Sequence, residues 1–162
     1  MVTFQILDII AGTTVDGPGL RTSIYFAGCE HKCLDCHNPQ SWNAKAGVSM
    51  DVDDVMKQII ENDFNVTFSG GDPMLQVDNL IELAKRVKSI EKNIWCYTGY
   101  TYEEVLKSNK LKTILPYIDV LVDGRYEKVL RDTELLFRGS SNQRLIDVTR
   151  SLESGSVVIW SR

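Results

Sequence analysis

The chain has 162 residues, 43% of them hydrophobic and 25% charged, with a formal net charge of -4. That content suits one domain over residues 1–162 with a core of its own, and it argues against both disorder and a nucleic-acid-binding surface. No apolar stretch reaches the roughly 20 residues of a membrane span, and the start Met1-Val2-Thr3-Phe4-Gln5 lacks the basic segment of a secretory signal, so the expected location is the cytoplasm.

Taken in chain order, short apolar runs alternate with amphipathic segments, the pattern of βα units around a mainly parallel sheet. Strands are predicted at residues 23–27, 65–68, 93–97 and 119–122. Between them, Val52, Val55, Met56, Ile59 and Ile60 recur at helical spacing behind Asp51, a residue suited to an N-cap. Leu80, Leu83, Ala84, Val87 and Ile90 mark a second helix, and Thr101-Tyr102-Glu103-Glu104 reads as a capping box opening a third, which carries Val105 and Leu106. A full eight-unit barrel takes roughly 250 residues, so the expected fold is α/β, a truncated, open (β/α) partial barrel. After Arg125 no βα pattern returns until Val157-Val158-Ile159-Trp160, and this half is expected to cover the sheet edge or meet a partner.

Each predicted strand runs into a chemically distinctive segment: Gly28-Cys29, Ser69-Gly70-Gly71-Asp72-Pro73, Thr98-Gly99-Tyr100 and Asp123-Gly124-Arg125. Parallel α/β folds bind ligands at the carboxyl ends of their strands, so these four segments are expected on one edge. In a reducing compartment, Cys29, Cys33 and Cys36 point to metal or redox chemistry rather than disulfides. Three thiolates can hold three irons of a four-iron cluster and leave the fourth open, or they can bind zinc with His31 or His37 as the fourth ligand. Local spacing leaves both readings standing. Cys96, in an apolar run, reads as a core residue and His31 as solvated loop. Gly70 and Gly71 allow close backbone approach to a ligand, with strand-end carbonyls or Asp72 accepting from an ammonium group; the plainer reading is a tight turn. Asp123 and Arg125 share a strand face and either clamp a polar ligand or form an exposed ion pair. Residues 138–144, Arg-Gly-Ser-Ser-Asn-Gln-Arg, have a surface-loop composition with two arginines able to grip a carboxylate or a partner.

These residues together resemble the radical S-adenosylmethionine superfamily, whose hallmark is the spacing of Cys29, Cys33 and Cys36. Val15-Asp16-Gly17-Pro18-Gly19-Leu20-Arg21 and Cys36-His37-Asn38-Pro39 look like its glycyl-radical-enzyme activating group, and Gly70-Gly71-Asp72-Pro73 resembles its glycine-rich motif, with Asp where Glu is commoner. Asp123-Gly124-Arg125-Tyr126-Glu127-Lys128 and residues 138–144 are similar to segments of members that act on anaerobic ribonucleoside-triphosphate reductases. The resemblance implies a 4Fe-4S cluster on Cys29, Cys33 and Cys36, with S-adenosylmethionine on the open iron. It places Asp35 and His37 beside the adenine through backbone contacts, with Cys36 between them also contacting the cofactor, Gly70, Gly71 and Asp72 at the methionine ammonium, and Thr98, Asp123 and Arg125 nearby, the last two at the ribose or carboxylate. Relatives often carry Lys at the position of Arg125. It implies radical activation of a glycyl radical enzyme, the anaerobic reductase, with a flavodoxin-like or other reductant. The rivals are activation of another glycyl radical enzyme, such as pyruvate formate-lyase, and a non-catalytic zinc-binding adaptor.

Overall fold

The computed structural model describes residues 2–31, 33, 36 and 39–162. Strands β1 (Thr3–Thr13), β2 (Arg21–Phe26), β3 (Val48–Asp51), β4 (Asn65–Gly70), β5 (Ile94–Tyr97), β6 (Val120–Asp123) and β7 (Arg144–Asp147) form one sheet in the order β3-β1-β2-β4-β5-β6-β7. Helices α1 (Val52–Asn62), α2 (Val77–Ser89) and α3 (Tyr102–Lys107) lie on the connections between β2, β4, β5 and β6, and α4 (Val148–Ser154) follows β7. Among the described residues no helix is long and apolar enough to cross a membrane.

The expectation of a mainly parallel sheet is corrected: the sheet is mixed. Strands β2, β4, β5 and β6 run parallel, because a helix-bearing crossover returns the chain to the same end of the sheet each time. Strand β1 folds back on β2 through residues 14–20 and also pairs with β3, both antiparallel, and β7 returns antiparallel on β6. These outer strands were not legible in the sequence. Only the first half of β1 alternates inward, with Phe4 and Ile6 buried and Ile10 exposed, while β3 and β7 are four residues each. The predicted central strands and three helices are present, α1 capped by Asp51, whose carboxylate accepts from Asp54 N–H, and α3 by the Thr101–Glu104 capping box.

Alternation along the central strands sorts two cores. Val66, Phe68, Ile94, Cys96 and Leu121 pack under the helices with Ile59, Leu80, Leu83 and Val87, so Cys96 is the core residue its apolar setting implied. Trp95, Val120 and Val122 face the other way, against Phe137, Leu145 and Trp160, with Trp95 meeting Phe137 and Trp160 edge to face at centroid distances of 5.2 and 4.9 Å. The second half of the chain therefore covers this face as well as adding the edge strand β7.

On the Trp95 face lies a buried cation. Arg21, the first residue of β2, is fully buried, and burial pushes its pKa down to about 10, still charged at neutral pH. It donates from Nε to Thr67 Oγ1 (2.7 Å) and from its terminal nitrogens to the carbonyls of Pro18 and Val66 and to Asn93 Oδ1, with its guanidinium 5.7 Å from the Trp95 ring centroid. It thereby staples the 14–20 loop to β4. Arg21→Ala leaves these acceptors unpaired in a cavity, so denaturant titration is expected to show a loss of ~3 kcal/mol in unfolding free energy; a loss below ~1 kcal/mol would remove this staple from the account.

Candidate active site

The carboxyl ends of β2, β4, β5 and β6 meet at one edge, and the four expected segments line one cavity there of about 330 Å³. Cys29, Cys33 and Cys36 are on its wall, each half-buried, beside Gly70, Gly71, Thr98, Gly99, Gly124 and Arg125. The cysteine loop is laid directly over the glycine turn: Gly71 N–H donates to Phe26 O (2.9 Å) and Asp72 N–H to Gly28 O (2.7 Å). Gly70 is required by this layering, since its φ is +108° and a Cβ there would strike the backbone of Phe26.

Within the loop, Cys36 N–H donates to Cys33 O at 3.2 Å. Burial pushes the Cys33 thiol up, while the Tyr126 backbone bond and the charge of Arg125 work the other way. Tyr126 is a contact that sequence reading missed; the signal available was its place directly after the strand-end Arg125. Asp35 and His37 lie outside the described residues.

Asp72 is placed differently from a ligand-facing carboxylate. It is 2% exposed. Its Oδ2 accepts from His31 Nε2 (2.7 Å), Thr98 Oγ1 (2.8 Å) and Gly99 N–H (2.9 Å), and its Oδ1 accepts from Met74 N–H (3.0 Å). The expectation that His31 is solvated loop is therefore corrected: its side chain is 4% exposed, because a buried carboxylate recruits the donor within reach. Thr98 is at once a cavity wall residue and an Asp72 donor.

Asp123 and Arg125 do not pair with each other. Asp123 is 1% exposed, and its carboxylate accepts from Tyr102 N–H (2.8 Å) and from the guanidinium and backbone of Arg144. Arg144, which also pairs with Glu103 and holds that carboxyl below its ordinary range, was read only as one of two loop arginines; a buried strand-end acid was the sign that a cation had to meet it. Arg125 instead reaches Glu104 at 3.5 Å and lines the cavity. The 138–144 loop is tied inward: Gln143 accepts from Gly139 and Ser140 N–H and donates to Gly124 O. Asp16 accepts from the Tyr25 hydroxyl at 2.6 Å, and burial, followed by that bond, pushes the Tyr25 pKa up.

The wall has the donor chemistry for a cluster with one open position. Three thiols share it, Cys96 is buried in the core and not part of the wall, and His31 is committed to Asp72. Among the described residues, no three His, Cys, Asp or Glu side chains close on a single metal point.

A family model described as a 4Fe-4S single cluster domain matches residues 15–146, which sets the class. Proteins named anaerobic ribonucleoside-triphosphate reductase-activating protein are 41% identical in Haemophilus influenzae, 38% in Enterobacteria phage T4 and 35% in Escherichia coli K12. The alignments cover 80%, 81% and 80% of this chain and 88%, 86% and 89% of those. The chain belongs to this family of reductase-activating proteins. The crystal structure of QueE from Escherichia coli is similar in fold, with a TM-score of 0.54 at 14% identity over 75% of this chain and 70% of that one.

The geometry separates the thiols into two classes. Under anaerobic native conditions without metal, iodoacetamide is expected to label Cys29, Cys33 and Cys36 and spare Cys96, which is fully buried. Intact-mass measurement should find three adducts native and four after denaturation; rapid native labelling of Cys96 would contradict this packing.

Proposed function

We propose that the chain is a radical S-adenosylmethionine enzyme, one domain over residues 1–162, that installs a glycyl radical on an anaerobic ribonucleoside-triphosphate reductase. The observation that carries this reading is that three half-buried thiols share one cavity wall with a glycine turn at the ends of four parallel strands. A reduced 4Fe-4S cluster bound there would supply one electron to S-adenosylmethionine, whose sulfonium carbon–sulfur bond would break to give methionine and a 5′-deoxyadenosyl radical able to remove hydrogen from glycine.

The residues then divide the work. Cys29, Cys33 and Cys36 hold the cluster. Gly70 and Gly71 offer backbone groups to the methionine ammonium, and Asp72 serves that contact indirectly, by holding the turn. Arg125 stands on the cavity wall where a carboxylate or ribose would lie, and Asp123 fixes the strand end that presents it. Asp35 and His37 keep their adenine assignment on the motif alone. We take the open seven-stranded sheet to be a truncated barrel whose unclosed side admits the protein substrate. Supporting this, a second, wider cavity of about 590 Å³ shares Asp16, Tyr97 and Gly139 with the first and is rimmed by the exposed Val15 and Leu136. A flavodoxin-like or other cytoplasmic reductant would deliver the electron.

The test is anaerobic reconstitution with iron and sulfide, then reduction with dithionite in the presence of S-adenosylmethionine. 5′-Deoxyadenosine is measured by chromatography for wild type and Cys33→Ala. Product from wild type alone is expected, together with a glycyl radical signal by electron paramagnetic resonance when the anaerobic reductase is added. Zinc retained in place of iron, or an intact reduced cluster that cleaves nothing, would favour a metal-bound adaptor.

A further inference from the structure

We infer that His31 is a positioning residue for the cluster: through its buried bond to Asp72 it latches the three-cysteine loop onto the glycine turn and the end of β5. The inference rests on the proposed function above and deepens it. Three separate features build a socket for this one side chain. The first is the acceptor, Asp72 Oδ2, 2.7 Å from His31 Nε2, with both side chains almost completely buried. The second is an aromatic wall: the His31 and Tyr100 rings meet edge to face, centroids 4.6 Å apart at 79°. The third is space, since a Cβ on Gly99 would lie within the imidazole, so position 99 must lack one for the ring to seat.

The socket exists without the histidine. Thr98 Oγ1, Gly99 N–H and Met74 N–H come from the framework and hold the Asp72 carboxylate in place. His31 is, among the described residues, the only side chain of the cysteine loop to reach it. It sits midway between Cys29 and Cys33, so fixing its ring limits how far both thiols can swing before a cluster binds, lowering the ordering cost of assembly. Groups bonded directly to a metal's ligands typically change metal affinity by roughly 10–100-fold when removed, and a latch on the loop that carries two of the ligands is expected to act within that range. The same bond couples the cysteine loop to the turn that carries Gly70 and Gly71.

The test uses the reconstituted holoprotein and follows anaerobic iron release to a ferrous chelator, a readout independent of turnover. His31→Leu, which keeps bulk and loses the donor, is expected to release iron roughly 10–100-fold faster. His31→Gln, which returns a donor to the Nε2 position, is expected to stay close to wild type. Gly99→Ala, which fills the socket with His31 and Asp72 intact, is expected to behave like His31→Leu. Thermal unfolding of the metal-free variants separates a general fold defect, since rescue by glutamine specifically in iron release is not an effect of stability alone. Release from His31→Leu at the wild-type rate, or from His31→Gln as fast as from His31→Leu, would overturn the latch. Wild-type protein that takes up no iron would instead end the proposed function itself, so the two failures are distinguishable.

Discussion

A single buried carboxylate, that of Asp72, is the interaction on which the site depends. A charge removed from water is costly unless donors replace the water, and here four do, from the cysteine loop, the end of β5 and the turn that Asp72 itself begins. The arrangement suits an aspartate at this position. An aspartate is short enough to accept from Met74 N–H two residues on, capping its own turn, while its other oxygen gathers three donors from outside. A residue that the sequence presents as part of a ligand site is thus the fastening of the site's frame, and the neighbouring glycine backbone is left to face the cavity.

The same economy appears at β6. Asp123 is spent on Tyr102 N–H and Arg144, which joins the start of α3, the end of β6 and the start of β7 in one network. The antiparallel return of β7 brings Arg144 to that acid, and the 139–143 turn is held against Gly124 on the way. The mixed topology thus shapes the site: parallel central strands deliver four ends to one edge, and the antiparallel additions extend the sheet on both flanks and tie the loops down.

Much of this was legible in residues 23–123. Central strands buried on both faces leave continuous apolar runs, helices leave a 3.6-residue stripe, and caps such as Asp51 and Thr101 name their own ends. The three cysteines and the Gly70-Gly71-Asp72 turn stood out because they fall together at strand ends, although each alone also admits a plainer reading as a zinc site or a tight turn. The outer strands did not: β3 and β7 are four residues each, and half of β1 faces solvent, so no alternation betrays them. Nor did the partners of buried charge. The roles of His31 and Arg144 depend on residues 41 and 21 positions away in sequence, three of the four partners of Arg21 lie 45 to 72 positions away, and no local pattern encodes such pairings.

Under the proposed function, three thiolates of this chain hold a four-iron cluster and leave one iron free for a small-molecule ligand. Mössbauer spectroscopy of protein reconstituted with iron-57, recorded with and without S-adenosylmethionine, tests it most directly. The cofactor is expected to change the parameters of a single iron site in four while the other three stay as they were. A spectrum unchanged by the cofactor, or one in which all four sites are already protein-ligated, would contradict it.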